Sequence, residues 1–243
     1  TLFDPYGTVG VGGSSNIYSD SGYGTLTAAG KTPSMGTGAI TALRDNNAVQ
    51  YFLPAGLGGI YGQAMVAAGE GGTGGKYYGA RVGWASGPID VAIAWGRNPR
   101  TGAMLDDMTL WNVGGSYDFG VAKIMAIYND WEGAIAGFDG IGPNMGWTQK
   151  NWLVGAYVPF GPGRFSASYS QTKRELLDGS KPKVDQIAVG YVYELSKRTA
   201  LYGTYSHVSN DDGLAFTAGA DGPAFTETGR TSSGAEIGIR HTF

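Results

Sequence analysis

The chain has 243 residues, a formal net charge of −3 and no cysteine. The lack of cysteine excludes disulfides, thiol nucleophiles and thiolate metal sites, and the lack of a basic run argues against a nucleic-acid partner. Charged residues are 15% of the chain and glycine supplies 43 residues, whereas about 25% and about 7% are usual in soluble domains.

Residues 1–43 precede the part of the chain that we predict as strands. The stretch Gly10-Val11-Gly12-Gly13-Ser14-Ser15 approaches a dinucleotide-binding motif, but its third glycine is missing and we expect no helix after it. Residues 22–29 are a poor candidate for one hidden strand.

From about residue 44 the chain alternates apolar with small or polar residues, the period of two that a half-buried strand requires. Each run is about ten residues long, enough for a tilted strand to cross a bilayer. The eleven predicted strands are 44–53, 58–69, 77–86, 89–97, 108–118, 121–131, 150–160, 163–173, 183–195, 198–208 and 233–243.

The predicted connections alternate strictly between short and long. Short turns such as Gly87-Pro88 and Phe119-Gly120 are each followed by a longer segment, such as 98–107 or 132–149. This pattern places all tight turns at one end of a meander, which is typical of outer-membrane barrels with short periplasmic turns and longer outside loops.

The two faces of the predicted strands differ in chemistry. In the run 163–173, Phe165 and Tyr169 fall on an apolar face, and Arg164 and Ser166 fall on a polar one. Unpaired charges cannot lie in a dry core, and eleven strands make a barrel too wide for small apolar residues to fill. The sequence therefore predicts an all-β transmembrane antiparallel barrel with lipid outside and water inside. The faces of 198–208 are ambiguous and stay unassigned.

Three stretches resemble known sequences. Residues 190–202, with the turn Leu195-Ser196-Lys197-Arg198-Thr199, resemble a hairpin of general diffusion porins, and residues 44–51 resemble the strand that follows their constriction loop. The ending Gly238-Ile239-Arg240-His241-Thr242-Phe243 is similar to that of β-proteobacterial porins, and its terminal Phe243 resembles the signal that barrel-assembly machinery recognises. By this resemblance the chain is identified as a Gram-negative general diffusion porin.

The resemblance implies a barrel of sixteen strands in the outer membrane, usually a homotrimer in contact with lipid and lipopolysaccharide. Residues 1–43 would be the loop that folds into the lumen, and residues 44–243 the eleven strands after it. Because closed bacterial barrels have an even strand number, we expect about five N-terminal strands to be absent from the sequence. The implied activity is passive diffusion of ions and small hydrophilic solutes.

The resemblance also implies a pore constriction with acids on the loop and bases on the wall. The candidates on the loop are Asp4 and Asp20, and Arg44 is the candidate on the wall. We expect the lumen to be lined by further polar residues, namely Gln50, Arg81, Asp118, Lys123 and Arg164. The preference for anions or cations stays open at this point.

The sequence offers little support for catalysis. His207 and His241 have no metal-ligand spacing around them, and Asp211-Asp212-Gly213 is best read as a solvated turn. We therefore predict no catalytic residue, no metal site and no cofactor. The alternatives that stay open are a smaller, substrate-specific channel of about twelve strands, and a structural or enzymatic barrel plugged by its own loops.

Overall fold

The structure is a computed structural model that describes residues 2–7, 10–18, 39–41, 44–45, 47–69, 76–99, 107–135, 145–175, 180–212, 214, 216–219 and 228–243. Within these ranges the protein is all-β apart from one helical turn, Ser15–Tyr18, which we call α1. No helix in the described ranges is long and apolar enough to cross a membrane.

Eleven antiparallel strands form one sheet, and each pairs with its neighbours in the chain without a crossover. A separate small sheet pairs Ala39–Thr41 (β1) with Arg44–Asp45 (β2). The strands of the large sheet are Ala48–Phe52 (β3), Ile60–Ala67 (β4), Tyr77–Ser86 (β5), Ile89–Asn98 (β6), Met108–Asp118 (β7), Lys123–Ile135 (β8), Met145–Phe160 (β9), Gly163–Glu175 (β10), Lys183–Glu194 (β11), Thr199–Asn210 (β12) and Thr231–His241 (β13).

Each of the eleven predicted strands corresponds to a strand of the large sheet, and the antiparallel all-β class is confirmed. The predicted start of the first strand at residue 44 is wrong, because Arg44 and Asp45 pair with β1 instead. Asn47 follows with a positive φ of 53°, a left-handed conformation that asparagine tolerates and that interrupts an extended strand. Strands β8 and β9 are longer than predicted, since β8 continues to Ile135 and β9 begins at Met145 within the predicted loop 132–149.

Two further expectations concern residues 1–43. The expectation that no helix follows Ser15 is wrong, since α1 begins there, although it is a single turn of four residues. The weak candidate strand at 22–29 lies outside the described residues.

The register sorts side chains onto the two predicted faces, because directly paired residues point to the same side of a sheet. On the outer face Ile93 lies between Val82 and Val113, and all three are about half exposed. On the opposite face Asn129, paired with Asn151 in the register, is buried and donates a hydrogen bond of 2.9 Å to it. The apolar residues therefore form the exposed surface of the sheet and the polar residues form its covered surface.

The same register settles the strand whose faces the sequence left open. Leu201 and Tyr205 of β12 lie on the apolar outer face, opposite Ile239 and Ala235 of β13. Thr204 lies on the polar face, opposite Glu236.

The short connections depend on glycine where the chain reverses within two residues. Gly87, before Pro88, has a φ of +57°, and Gly161, before Pro162, has the same value. A positive φ at the first central position is the requirement of a type II′ hairpin turn, which glycine meets without a steric penalty.

The outer face gives a first prediction. Replacing Ile93 with Arg should lower the free energy of unfolding in lipid bilayers by about 2–4 kcal/mol, because Ile93 lies at mid-strand, where a charge on the lipid face is most costly. Ile89, on the same face but at the first position of β6, provides the matched control, and its replacement with Arg should cost about 0–1 kcal/mol. Denaturant titration in vesicles measures both values, and equal costs at the two depths would contradict this membrane placement.

Candidate functional site

The residues 2–7 and 10–18, which we call the N-terminal segment, lie against the polar face of the sheet. The Tyr6 hydroxyl donates a hydrogen bond of 2.6 Å to the Ser166 carbonyl oxygen. The Gln186 amide donates to the Val11 carbonyl at 3.0 Å, and the Gln149 amide donates to the Tyr18 carbonyl at 2.7 Å. The segment is therefore fixed to β9, β10 and β11 by groups separated by more than a hundred residues in the chain.

Glycines on the polar face make room for this segment. A Cβ added to Gly155 would lie 2.5 Å from the Pro5 Cγ atom, which is closer than such atoms approach in proteins. A Cβ at Gly190 would lie 3.2 Å from the Tyr6 ring. Pro5 and Tyr6 thus occupy space that a wall side chain would otherwise fill.

A small apolar cluster joins α1 to the wall and to the connection after β12. Ile17 packs with Val184 and Val208 of the wall and with Leu214 and Phe216 of that connection, and all five are at most 2% exposed. The side chains on the polar face are thus apolar at one place, where the N-terminal segment meets the connection after β12.

The Asn210 side chain anchors the connection after β12. Its amide donates to the Phe216 carbonyl at 2.9 Å, and its carbonyl accepts from the Phe216 backbone N–H at 2.9 Å. Arg174 lies beneath, with its Cζ atom 4.8 Å from the Phe216 ring centre and its Nε donating to Gln149 Oε1 at 2.5 Å.

The predicted constriction acid Asp4 is buried, with an exposed fraction of 9%. Its carboxylate accepts hydrogen bonds from the Tyr6 N–H at 2.9 Å, the Ser14 N–H at 2.9 Å and the Ser14 hydroxyl at 2.7 Å. Burial raises the pKa of Asp4, which lies outside the strands, and the three donors partly offset this rise. This geometry supports a role in shaping the N-terminal segment, and its predicted role in the constriction stays a prediction.

The other two predicted constriction residues are less well placed. Asp20 lies outside the described residues. Arg44 belongs to β2, and its backbone is described but its side chain is not. Both assignments stay predictions.

All five predicted lining residues lie on the polar face of the sheet. Gln50 donates to the Met65 sulfur at 2.9 Å, and Asp118 and Lys123 are paired across a short turn. Arg81 donates to Gln63 Oε1 at 3.2 Å.

Two of these lining residues are arginines that lie over tyrosine rings. The Arg81 Cζ atom is 5.6 Å from the centre of the Tyr61 ring, and the Arg164 Cζ atom is 5.1 Å from that of Tyr157. These distances are within the range of cation–π attraction, which holds the guanidinium groups along the wall. The Arg164 Nε atom is buried and has no hydrogen-bond partner.

Asp90, Glu194, Glu236 and Arg240 are charged residues of the polar face that were not among the predicted lining residues. Asp90 accepts a hydrogen bond of 2.6 Å from the Tyr61 hydroxyl, and Arg240 forms an ion pair of 3.4 Å with Glu194. Glu236 and Arg240 line a cavity of about 600 Å³ together with Arg164 and Tyr6. Glu236 and Arg240 could have been found from their even positions on β13, which alternate with the apolar residues at its odd positions. In the sequence, that apolar row is the stronger feature.

The C-terminal Phe243 is fully exposed on the outside of the sheet, and its ring centre lies 4.9 Å from that of His241. Its predicted role in assembly stays a prediction. Among the described residues, no group of three or more His, Asp or Glu side chains could hold a metal ion.

An antiparallel barrel sheet with an exposed apolar face, and a polar face that receives an inward-folded segment, defines the class of outer-membrane β-barrel proteins. The sequence model of the Gram-negative porin family matches residues 2–213, and the chain belongs to that family. Membership places the chain in the Gram-negative outer membrane.

Two curated relatives support this assignment. The chain is 28% identical to outer membrane porin protein 32 of Delftia acidovorans over 211 residues, which are 83% of this chain and 57% of the relative. It is also 28% identical to an outer membrane porin protein of Bordetella pertussis over 183 residues, covering 66% of this chain and 44% of the relative. The chain thus spans about half the length of these relatives.

Solved structures agree with the fold. The anion-selective porin from Comamonas acidovorans is 28% identical and superposes with a TM-score of 0.66 over 86% of this chain and 63% of its own. OmpT of Vibrio cholerae superposes with a TM-score of 0.64 over 80% of this chain and 64% of its own. At 18% identity the second likeness shows the fold alone.

The space that Gly155 leaves for Pro5 gives a second prediction. Replacing Gly155 with Ala should displace Pro5 from the wall, because the new Cβ would overlap the proline ring. We expect hydrogen-exchange protection of the N-terminal segment to fall. Gly203→Ala is the matched control, since its Cβ would meet the Ile237 Cγ2 at an ordinary 3.6 Å. Equal protection in the two variants would show that docking of the segment does not depend on the missing side chain at Gly155.

The buried carboxyl of Asp4 gives a third prediction. Its pKa is raised above the ordinary value of 3.8 when the segment is docked, so the docked state binds more protons in the window just above that pH. Docking should therefore weaken as the pH rises through this window and stay constant above the raised pKa. Protection factors of the Tyr6 and Ser14 amides report this, and Asp4→Asn should remove the pH dependence. A variant that keeps it would assign the titration to another group.

Proposed function

We propose that the protein is a channel for passive diffusion of ions and small hydrophilic solutes across the outer membrane. The observation that supports this most directly is the division of the sheet into an exposed apolar face and a polar face with charged side chains. Charged groups such as Arg81 and Arg164 require water or partners, so the space they face favours hydrated solutes.

The N-terminal segment would set the narrowest part of this channel. It is held to the wall by Tyr6, Val11 and Tyr18, and the open cavity of about 600 Å³ lies between it and β10 to β13. In this proposal Asp20 and Arg44 complete the constriction that the family resemblance implies, and Asp4 shapes the segment. The channel needs no catalytic group, because the diameter and charge of the opening determine which solutes pass.

We further propose a preference for anions. Two acids that face the lumen are held in hydrogen bonds: Asp4 is buried within the segment, and Asp90 accepts a hydrogen bond from the Tyr61 hydroxyl. The guanidinium groups of Arg81 and Arg164 lie along the wall, and Arg164 keeps a buried Nε without a partner. The solved relative from Comamonas acidovorans is described as an anion-selective porin, which supports the same direction.

We propose a homotrimer as the functional assembly, with solutes passing through each copy and with barrel-assembly machinery acting during biogenesis. A trimeric form of OmpT from Vibrio cholerae is among the solved structures with a similar fold.

A second candidate is a barrel plugged by its own segments. The buried cluster of Ile17, Leu214 and Phe216 on the polar face favours it, since apolar side chains in a lumen exclude water.

Single-channel recording of the native protein in planar bilayers under a salt gradient distinguishes these candidates and gives a fourth prediction. We expect stepwise openings in groups of three and a reversal potential of the sign given by anion flow. A folded, inserted protein that never conducts would support the plugged barrel instead.

The same recording tests the arginines. A unit charge about 6 Å from the ion path contributes ~0.7 kcal/mol in water, which is a change of about three-fold in ion occupancy. Because removing the positive charge lowers anion occupancy and raises cation occupancy by this factor, Arg81→Gln and Arg164→Gln should each lower the anion-to-cation permeability ratio about ten-fold. Lys197→Gln removes the same charge from an exposed short turn and should leave the ratio unchanged. An equal effect of all three variants would exclude a specific role of the two arginines.

A further inference from the structure

A second cavity, of about 260 Å³, lies on the polar face of the sheet between α1 and the wall of β4 to β8. It is smaller than the roughly 300–1,000 Å³ of sites for drug-sized ligands, so it suits a solute of about one small ring. No acid is among the described residues of its lining. Aromatic and aliphatic side chains line it together with carboxamides and a guanidinium, among them Tyr18, Tyr77, Trp131, Gln63, Asn112 and Arg81.

Tyr77 supplies an aromatic surface on this wall. It is the first residue of β5, and its ring lies over Gly79 and Gly96, which are paired in the register. A Cβ added to Gly79 would lie 2.6 Å from the ring Cε1 atom, and a Cβ added to Gly96 would overlap the Tyr77 hydroxyl. Because both glycines lack this atom, the ring lies against the backbone of the sheet, and its other face is turned away from the sheet.

Tyr18 and Trp131 form a fixed aromatic pair in the same lining. Their ring centres are 5.9 Å apart and their planes meet at 61°, which is a favourable edge-to-face arrangement. Both side chains are buried, and the Gln149 amide holds α1 in place through its hydrogen bond of 2.7 Å to the Tyr18 carbonyl. The cavity is therefore formed before a solute arrives, which lowers the entropy lost on binding.

The polar groups of the lining are mainly neutral. The carboxamides of Gln63 and Asn112 each combine two donor hydrogens with an acceptor oxygen. Arg81 supplies a charge, but its guanidinium group already donates to Gln63 Oε1 at 3.2 Å and lies 5.6 Å from the Tyr61 ring centre. An anion requires donors alone, whereas donors and acceptors side by side suit the hydroxyl groups of a neutral solute.

We propose that this cavity binds a neutral pyranose sugar. One face of a pyranose ring presents C–H groups, whose small positive charge is attracted to the negative face of an aromatic ring such as that of Tyr77. The edge of the sugar presents hydroxyl groups that donate and accept, and the carboxamides of Gln63 and Asn112 match them in both respects. The proposal rests on the proposed channel, because an open lumen is what brings solutes to the cavity, but binding itself is measured without conduction.

The test is isothermal titration calorimetry of the native protein in detergent with D-glucose. We expect saturable binding with the same affinity at low and high salt, because salt screens only charged ligands. Sorbitol has similar hydroxyl groups on an open chain without a rigid apolar face. It should therefore bind about ten-fold more weakly than glucose.

Variants of the wall separate the aromatic contribution from the polar one. Tyr77→Leu should weaken glucose binding about ten-fold, whereas Tyr77→Phe keeps the ring and should keep the affinity of the wild type. Asn112→Ala should weaken binding about five-fold through the loss of one hydrogen bond, and it provides a second test should Tyr77→Leu fail to fold. Far-UV circular dichroism identifies the folded variants.

Tyr202→Leu is the matched control. The Tyr202 ring also lies over a glycine of the polar face, since a Cβ added to Gly238 would lie 2.5 Å from its Cζ atom, but Tyr202 belongs to β12 and is outside this cavity. Its replacement should leave the affinity for glucose unchanged. An equal loss in Tyr202→Leu and Tyr77→Leu would overturn the proposal, because it would assign binding to aromatic rings in general.

Two further outcomes would also overturn the proposal. One is the absence of saturable glucose binding by the folded wild type. The other is tighter binding of benzoate than of glucose, weakened by salt, which would make the cavity a site for aromatic anions. Planar-bilayer recording keeps the proposed channel separate: a protein that binds glucose but never conducts would contradict the channel and support the sugar site, and a conducting protein that binds no glucose would contradict the sugar site alone.

Discussion

A strand in a lipid bilayer must pair every backbone N–H and C=O with a neighbouring strand, since lipid offers no hydrogen-bond partner. This constraint produces the uninterrupted order from β3 to β13 and fixes the register between all neighbours. It also makes the period of two decisive, because a slip of one residue would turn every lipid-facing side chain of a strand into the lumen. Ile93 between Val82 and Val113 outside, and Asn129 beside Asn151 inside, are consequences of one register.

The polar face depends on the same constraint in a second way. Because the wall satisfies its own backbone, its inward side chains are free to bind the N-terminal segment. Gln149 and Gln186 donate to backbone carbonyls of the segment, and Gly155 leaves the space that Pro5 occupies. The wall and the segment are thus complementary in both hydrogen bonding and shape.

The sequence predicted the strands and their faces well because both follow from local alternation. Its errors occur where a local pattern has competitors: Arg44 and Asp45 read as part of a strand, but the left-handed Asn47 separates them from β3. The site was less predictable because its contacts are distant in sequence. Tyr6 and Ser166 are 160 residues apart, and nothing near Asp4 in the sequence indicates that Ser14 will bind its carboxylate.

Adjacent residues on a strand can therefore have opposite roles without interfering. Lys173 and Arg174 are neighbouring cations on β10, yet Lys173 is exposed on the lipid side and Arg174 is fully buried on the lumen side beneath Phe216. The sheet between them is a single layer of paired backbone, so neither charge can turn to the other side without breaking the register. For this reason the lumen and the lipid surface can vary independently in sequence, and within one strand the residues of the two surfaces alternate.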